Sequence, residues 1–249
     1  MNVQRFQEKG IQSGFKRSVA FSFWDGFVHL LFPSSCLVCQ GELLRAEQIC
    51  CSVCFSELMF TRFENEQEPT PLDQLFWGRV DVVATYALLY YEKTNNVKPL
   101  LQALKYNNRP DVGIFFGKLL GNKLLEQANF SSVEVLIPVP IHRKKRYDRG
   151  YNQSEQLVKG MCMIWKLQID KKLVSKRMHT QSQTKFGRFR RWDNVENQFY
   201  VDKGIGRYKH IALVDDVITT GATLEAIMKE IRLISPEIQI SVISLALAK

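Results

Sequence analysis

Apolar residues follow two alternating patterns from Arg79 to the end of the chain. Short apolar runs of strand length alternate with longer stretches in which apolar positions recur every three or four residues, as on one face of a helix. This alternation predicts an α/β domain with a mostly parallel sheet flanked by helices. The predicted strands are residues 80–91 (a strand or a hairpin), 133–139, 208–214 and 238–247, and the predicted helices are residues 95–105, 112–127, 154–165 and 224–233.

The part of the chain before this domain lacks the alternation. Residues 1–32 carry a mixed pattern that predicts a helical lead-in, and residues 33–60 contain most of the cysteines. Acidic residues and prolines within residues 61–78 predict an extended connector. We therefore expect an N-terminal module over residues 1–60, the connector, and an α/β domain over residues 79–249.

The length and composition are typical of a globular protein with one main core and a small appendage. The chain has 249 residues, of which 45% are hydrophobic and 24% are charged. No apolar run approaches the roughly 20 residues that span a bilayer, and the apolar residues 19–32 are interrupted by Asp25 and His29. No small-residue cleavage site follows them, so we expect no membrane span, no signal peptide and a cytoplasmic location.

The most specific motif joins the third predicted strand to the last predicted helix. It consists of four apolar residues, the carboxylates Asp215 and Asp216, two further apolar residues and a Thr-Thr-Gly-Ala-Thr turn. Ligands of open α/β sheets bind at the carboxyl ends of the strands, and the free N–H groups of a helix start favour an anion. The motif therefore predicts a ribose phosphate site, with the 5′-phosphate on the turn and the 2′- and 3′-hydroxyls on the carboxylates.

The turn supplies the phosphate contacts that this prediction needs. Gly221 lets the backbone approach a phosphate closely or adopt a positive φ, and the three threonines offer hydroxyl donors beside the backbone amides. A purely structural strand–turn–helix with an acidic cap is the alternative, although capping requires fewer acids and threonines. The predicted phosphate contacts are Thr219, Thr220, Gly221, Ala222 and Thr223.

Five of the six cysteines fall within residues 36–54, and four of these five form two C-x₂-C pairs separated by 11 residues. Thiolates at this spacing predict one tetrahedral Zn²⁺ that holds a small module together. Four thiolate ligands leave no open position for a catalytic water, so the zinc is expected to be structural. The predicted ligands are Cys36, Cys39, Cys51 and Cys54, with Cys50 as an alternative to its neighbour.

The net charge of +9 is concentrated in one segment. Residues 141–191 contain 15 Lys/Arg and 3 Asp/Glu, a net of +12, whereas the rest of the chain carries a net of −3. Such a segment usually binds a polyanion, for example a pyrophosphate or a nucleic-acid backbone, and a solvated basic face is the alternative.

Aromatic residues alternate with these cations, as stacking platforms for single-stranded DNA do, although core or lid packing explains them equally well. They are Tyr147, Tyr151, Phe186, Phe189 and Trp192.

Three polar clusters extend the candidate site. Lys105 is the last residue of a predicted helix. Its ammonium group either binds a pyrophosphate or only interacts favourably with the helix dipole. Residues 138–153 form a basic, glycine-containing stretch that predicts a mobile lid over an anionic substrate and includes Arg146 and Arg149. A disordered basic loop is the alternative for this stretch and for the third cluster. The third cluster comprises residues 177–184, Arg188, Arg191, Asn194 and Phe199.

The motif at residues 215–223 resembles the phosphoribosyl-pyrophosphate (PRPP) binding signature of type I phosphoribosyltransferases. With the cysteine pairs and the basic stretch, it makes most of the chain similar to the ComF family of phosphoribosyltransferase-like proteins, which includes the gluconate-associated GntX members. The resemblance is carried by residues 32–39, the second cysteine pair, and residues 105–106, 138–140, 149–153, 180–183 and 215–223.

This resemblance implies a type I phosphoribosyltransferase fold with an N-terminal zinc ribbon. It also implies a role in natural competence, in which family members act with a DNA-translocating helicase on incoming single-stranded DNA. In a phosphoribosyltransferase, Mg²⁺-PRPP binds and positive charge develops on the ribose as pyrophosphate leaves. The catalytic contacts would be Asp215 and Asp216 on the ribose, and Lys105, Arg146 and Arg149 on the pyrophosphate.

Two functions are therefore open at the level of the sequence. One is a PRPP-binding protein that handles incoming single-stranded DNA, and the other is an active phosphoribosyltransferase on an unidentified nucleobase or amine acceptor. No residue can be assigned to the recognition of a nucleobase. The cysteine module and the connector occupy the region that carries the base specificity of a purine-specific enzyme. The functions are compatible, since one pocket can bind PRPP while a separate groove binds DNA.

Overall fold

The computed structural model describes residues 34–44, 47–65, 69–177 and 198–249. The predicted helical lead-in at residues 1–32 lies outside the described residues, as do most of the third polar cluster and three of the aromatic residues that alternate with cations. Those members of the cluster and of the aromatic series are residues 178–184, Phe186, Arg188, Phe189, Arg191, Trp192 and Asn194.

Five parallel strands form the central sheet. In the described part of the chain the strands are β1 (Ala84–Tyr91), β2 (Val135–Pro138), β3 (Gln168–Ile169), β4 (Val174–Lys176), β5 (Phe199–Val201), β6 (His210–Ile218) and β7 (Gln239–Ala248). The sheet has the order β1–β7–β6–β2–β3, and every pairing within it is parallel. Strands β4 and β5 form a separate antiparallel pair. The predicted α/β class with a mostly parallel sheet is confirmed.

The central strands are apolar on both faces, as expected for a parallel sheet that is covered on both sides. Ile211 and Val214 of β6 and Val242 of β7 are fully buried. Because both faces are covered, the side chains do not alternate between apolar and polar. This explains the continuous apolar runs from which these strands were predicted.

Helices flank the sheet. Within the described ranges they are α1 (Ser52–Ser56), α2 (Pro71–Gln74), α3 (Val97–Tyr106), α4 (Pro110–Leu125), α5 (Arg143–Arg149), α6 (Gln153–Trp165) and α7 (Ala222–Ile234). The four helices and four strands predicted from the apolar pattern are all present, with ends displaced by a few residues. Among the described helices, none combines the length and apolarity that crossing a membrane requires.

Helices α4 and α6 cross with their backbones in contact. A Cβ atom added to Gly117 would lie 2.2 Å from the Leu157 carbonyl oxygen, and one added to Gly160 would lie 2.2 Å from the Ile114 carbonyl oxygen. Neither position can therefore hold a side chain without moving a helix. Since α6 also contacts β2 and β6, this crossing fixes its first turn over the carboxyl ends of those strands.

The connector at residues 61–78 differs from the predicted extended segment. It contains the 3₁₀ turn Phe63–Asn65 and helix α2, and it buries Leu72 and Phe76 in the main core. Glu64, one of its acids, pairs with Lys123 of α4. The prediction followed the acids and prolines, whereas the apolar residues between them determine the packing.

The basic stretch after β2 also differs from the predicted loop. Residues 143–149 form helix α5, which ends at Gly150 in the left-handed conformation with a φ of 77°. Glycine at this position stops a helix at little cost. The stretch thus contains an ordered helical turn, while its role as a lid remains a prediction.

Backbone pairing joins the cysteine module to the sheet. The Thr61 N–H donates to the Leu88 carbonyl oxygen at 3.1 Å, and the Tyr90 N–H donates to the Met59 carbonyl oxygen at 2.7 Å. Residues 59–61 therefore run antiparallel to the side of β1 that faces away from β7. Phe55 adds an edge-to-face contact with Phe115 of α4.

Candidate functional site

The candidate site lies at the carboxyl edge of the sheet, between β2 and β6. From β2 the chain crosses to β3 on one side, whereas from β6 it crosses to β7 on the other side. Such a reversal leaves a crevice at the carboxyl ends of the two strands, where ligands of open α/β sheets bind. Helices α6 and α7 both begin at this crevice.

The two acids lie inside β6, which corrects the predicted strand end at residue 214. Strand β6 continues to Ile218 because β7 continues beside it, with Asp215 opposite Ser244. Pro138 of β2 pairs with Val214, so the acids project beyond the end of β2. The turn shortens to residues 219–221, and α7 begins at Ala222 instead of residue 224.

Asp215 is half-buried and held by two donors. Its Oδ1 accepts hydrogen bonds from Ser154 Oγ at 3.2 Å and from the Asp216 N–H at 2.8 Å. Burial, together with the neighbouring Asp216 carboxylate, raises the pKa of Asp215 to about 8. At neutral pH the Asp215 side chain is therefore largely protonated and can both donate and accept.

Asp216 faces the end of helix α3. Its Oδ1 accepts from the Val217 N–H at 2.9 Å, and its Oδ2 lies 2.9 Å from Lys105 Nζ. This second contact is an ion pair, and Oδ2 itself is buried. The structure thus brings Lys105 to the acids.

The turn after β6 forms a small concave surface. Gly221 has a φ of 71° and caps α7 without a side-chain hydrogen bond. Residues 217–224 and Asp215 line a cavity of about 40 Å³, at which Thr219, Thr220 and Thr223 are exposed. Because the first N–H groups of a helix have no intrahelical partner, the cavity suits one small anionic group. The predicted phosphate contacts are therefore together on this surface.

Phe76 of the connector and Arg79, the first residue of the α/β domain, support the turn. The Phe76 ring lies against Gly221, where an added Cβ would be 3.1 Å from the ring. Arg79 donates to the Thr220 carbonyl oxygen at 2.9 Å and to the Glu225 carboxylate. These contacts restrain the turn.

Arg146 and Arg149 do not reach the acids through any described contact. Arg146 pairs with Glu155 at 3.0 Å. Arg149 donates to Gln153 Oε1 at 3.0 Å, and its guanidinium carbon lies 5.3 Å from the centre of the Tyr106 ring. Their contact with a pyrophosphate therefore remains a prediction. Arg149 lies beside the end of α3 that carries Lys105.

Buried polar residues at the start of α6 connect these parts of the site. Asn152 caps α6 and donates to the Val139 carbonyl oxygen at 2.9 Å. Tyr151 Oη donates to the Leu104 carbonyl oxygen at 2.6 Å, which ties α3 to the same loop. None of these roles was predicted from the sequence. The signal available in the sequence was the run of five polar residues, 152–156, at the start of a helix that is otherwise rich in apolar residues. In the structure all five are buried.

The four predicted zinc ligands form a second candidate site. The sulfur atoms of Cys36, Cys39, Cys51 and Cys54 lie within 4.8 Å of one another, and those of Cys39 and Cys51 are 3.8 Å apart. A tetrahedral Zn²⁺ with Zn–S bonds of about 2.3 Å has S–S edges of about 3.8 Å. The group contains Cys51 and not Cys50, so it supports the first of the two alternatives for this ligand.

Backbone hydrogen bonds favour a thiolate in this group. Burial alone would raise the pKa of Cys36, but N–H groups of Cys39, Cys51 and Val38 outweigh it and lower that pKa to about 7. By contrast, burial raises the pKa of Cys50 to about 12. Burial and the neighbouring cysteine side chains also raise the pKa of Cys54, so it is the arrangement of the four sulfur atoms, from which Cys50 is absent, that fits a structural zinc.

Known proteins similar to this chain have names that refer to competence and to DNA utilization. The chain is 28% identical to competence protein F of Haemophilus influenzae over 221 residues, which cover 85% of this chain and 90% of that protein. It is 27% identical to the DNA utilization protein YhgH of Shigella flexneri and of Escherichia coli over 164 residues, which cover 65% of this chain and 66% of those proteins. No protein-family model matches the chain. These similarities confirm the resemblance to the ComF family that the motifs predicted.

Proposed function

We propose that this protein binds Mg²⁺-PRPP, or a related ribose phosphate, in the crevice between β2 and β6. In this proposal residues 79–249 are a type I phosphoribosyltransferase-like domain, and residues 1–60 include a zinc-ribbon module. The names of the similar proteins, competence protein F and DNA utilization protein YhgH, support a role in the handling of incoming DNA. A cytoplasmic location, where PRPP is available, and cooperation with a competence helicase complete the proposal.

The observation that supports the proposal most directly is the acid pair, which projects beyond the end of β2 and directly precedes the turn. Lys105 balances part of its charge, with Nζ 2.9 Å from Asp216 Oδ2. Carboxyl groups at this position can accept hydrogen bonds from ribose hydroxyls. Asp215, largely protonated at neutral pH, can exchange a second hydrogen bond with the adjacent hydroxyl.

The turn provides the matching phosphate position. It follows directly after β6, so the acids and the exposed threonines belong to one continuous segment of residues 215–223. A 5′-phosphate on the free N–H groups of α7 would place the attached ribose toward the carboxylates. The distance between the two groups is then set by the strand itself.

The same residues suit the Mg²⁺ that accompanies PRPP. Mg²⁺ takes oxygen ligands and is usually held by one or two carboxylates together with substrate phosphates. The Asp216 carboxylate is a ligand of this kind, and Lys105 supplies a cation 2.9 Å from its Oδ2. When bound, Mg²⁺ would neutralise negative charge on the pyrophosphate, and the lysine would act in the same direction.

Binding is tested by titrating the full-length protein with Mg²⁺-PRPP and following its melting temperature. A ligand at 100 times its Kd stabilises the folded state by about 2.7 kcal/mol. The double variant Asp215→Asn with Asp216→Asn should abolish the stabilisation. The control Asp81→Asn with Glu237→Gln also replaces two carboxyl groups by amides, at exposed positions, and should retain it. Absence of any stabilisation of the wild type at saturating PRPP would refute the proposal.

Turnover is the alternative function and needs its own measurement. An active phosphoribosyltransferase would form a bond between ribose C1 and an acceptor nitrogen while the bond from C1 to the pyrophosphate oxygen breaks. Release of pyrophosphate, measured with purine, pyrimidine and amine acceptors, reports this reaction. Binding without release from any acceptor would support the PRPP-binding function alone.

Binding of single-stranded DNA is a second proposed function, and helix α5 favours it. Residues 143–146 are four consecutive exposed cations, and the Tyr147 side chain that follows them is 88% exposed. Burial and the positive charge of Lys145 lower the pKa of Lys176, so β4 brings a further cation close to this helix. Exposed cations beside an accessible aromatic ring are typical of surfaces that bind single-stranded nucleic acid.

The salt dependence of binding tests this role. Each phosphate contact contributes about −0.7 to the slope of log K against log salt for single strands. Lys144→Gln with Lys145→Gln should reduce the magnitude of the slope by roughly 1.4, whereas the exposed pair Lys203→Gln with Lys209→Gln should leave it unchanged. Weak binding that hardly varies with salt would exclude a DNA-binding surface on α5.

A further inference from the structure

Arg79 contacts three groups around the turn that follows β6. One terminal nitrogen of its guanidinium donates to the carbonyl oxygen of Leu75 at 2.8 Å and to that of Thr220 at 2.9 Å. The other terminal nitrogen donates to the carboxylate of Glu225, in the first turn of α7. Because the guanidinium is planar and rigid, it holds these three acceptors in a fixed arrangement.

The contact with the Thr220 carbonyl oxygen sets the direction of the next amide. The Thr220 C=O and the Gly221 N–H belong to one trans peptide group, in which the two bonds point in opposite directions. The carbonyl points to Arg79, so the Gly221 N–H points away from it. Gly221 is the N-cap of α7, and its N–H therefore has no partner within the helix.

The same guanidinium takes part in a cluster of balanced charges. Glu225 pairs with Arg79 and with Lys229, whose Nζ lies 2.8 Å from the carboxylate. The hydrogen bonds from Lys229 and Arg79 lower the pKa of Glu225, which is therefore ionised at neutral pH. Lys229 thus shares the charge role of Arg79, whereas the contact with the backbone of the turn belongs to Arg79.

We propose that Arg79 is a positioning residue of the phosphate site, which aims the Gly221 N–H into the cavity of the turn, where it donates to a phosphate oxygen. This inference rests on the ribose phosphate site proposed above. Arg79 does not touch the ligand, because it acts through the peptide group between Thr220 and Gly221. Glycine has no Cβ, so that peptide group would rotate at little cost without an external hydrogen bond.

Calorimetric titration of the full-length protein with Mg²⁺-PRPP tests the inference. Arg79→Met, which removes the donors, should weaken binding by about 10-fold, the effect expected of one hydrogen bond to a charged group. The matched control Lys229→Gln removes the other cation of Glu225 and should change the affinity by less than about 3-fold. The double variant Arg79→Met with Glu225→Gln keeps the net charge of the wild type and should bind as weakly as Arg79→Met.

The chemical shift of the Gly221 amide provides a readout that a general structural role would not change. In the wild type the amide proton should move downfield as Mg²⁺-PRPP is added, because it becomes the donor to a phosphate oxygen. At saturating ligand this movement should be smaller in Arg79→Met and retained in Lys229→Gln.

The outcomes separate this inference from the function on which it rests. Failure of Mg²⁺-PRPP to bind the wild type overturns both proposals. Equal affinity of the wild type and Arg79→Met, or recovered affinity in the double variant, overturns the positioning role and leaves the ribose phosphate site intact. Binding that leaves the wild-type Gly221 amide unmoved also overturns it, even if Arg79→Met does not fold.

Discussion

Asp215 is a carboxylic acid that its surroundings keep largely protonated at neutral pH. Its Oδ1 accepts from Ser154 and from the next backbone amide, but burial and the adjacent Asp216 carboxylate oppose its ionisation. Because burial opposes ionisation of this carboxyl group, Asp215 lowers the free energy of unfolding at neutral pH, the pH at which a ligand would bind to it. Sites in which activity and stability conflict in this way are common in binding proteins.

The raised pKa gives Asp215 a predictable effect on stability. In the unfolded chain its pKa is about 3.9, whereas in the folded protein it is about 8. Between these values the unfolded state binds fewer protons than the folded state, so this contribution to stability falls as pH rises from about 4 to 8. Asp215→Asn should therefore gain stability relative to the wild type as pH rises from 5 to 8, by about 1.4 kcal/mol or more.

Urea unfolding of the ligand-free protein at pH 5 and pH 8 measures this difference. Asp81→Asn, at an exposed carboxylate, is the control and should show no pH-dependent gain. A wild type and an Asp215→Asn variant whose relative stability is the same at both pH values would show that Asp215 titrates normally.

The residues predicted from the sequence are those whose function depends on their neighbours in the chain. Asp215, Asp216 and the threonines belong to one short motif, and the cysteine pairs follow a recognisable spacing. Ser154 escaped prediction because it contacts Asp215 across 61 positions of the chain. Arg146 and Arg149 were selected for their charge, yet Glu155 and Gln153 decide where those side chains lie in the described structure.

At the scale of elements, the crossing of α4 and α6 determines where the site residues lie. The helices touch at Gly117 and Gly160, and α6 places Ser154 beside Asp215. Glycine is unfavourable within a helix by roughly 1 kcal/mol relative to alanine. The close approach of the two backbones explains why glycine is present at both positions.

Gly160→Ala should destabilise the protein by up to about 2 kcal/mol. The gain in helix propensity is about 1 kcal/mol, but an added Cβ would lie 2.2 Å from a carbonyl oxygen, and overpacking of this kind costs typically 1–3 kcal/mol and occasionally more. Thermal unfolding measures the change. The matched control is Gly206→Ala, at which an added Cβ meets nothing within 4 Å. Similar stability of the two variants would contradict the backbone contact.

The apolar pattern predicted the elements but not their contacts. In the described part of the chain it identified all four helices of ten or more residues, because their apolar positions repeat with the helical period. It missed β3, which has only two residues, and α2, which lies among acids and prolines. The strand ends shifted where a neighbouring strand continued, as for the last four residues of β6 beside β7.

At the scale of the whole molecule, the cysteine module and the α/β domain share contacts. Phe55 of the module packs against Phe115, and residues 59–61 pair with β1. The module itself has a small core made of Cys36, Leu43, Cys50 and Cys54. So few apolar residues supply little hydrophobic stabilisation, and a bound metal is expected to supply the rest.

Removal of zinc should unfold the module before the α/β domain. Treatment with a chelator should abolish hydrogen-exchange protection in residues 34–58, while β6 and β7 remain protected, and added Zn²⁺ but not Mg²⁺ should restore it. The purified, reduced protein should contain one zinc per chain. A metal-free protein with a fully protected module would show that the four thiols need no ion.

The pairing of residues 59–61 with β1 has a consequence for solubility. Strand β1 is at the margin of the sheet, and its outward Leu88 carbonyl and Tyr90 N–H pair with the backbone of Thr61 and Met59. An uncovered strand at a sheet margin offers unpaired N–H and C=O groups to other chains and promotes aggregation. Loss of the metal would therefore do more than loosen a small appendage, because it would release the segment that shields β1 from intermolecular strand addition.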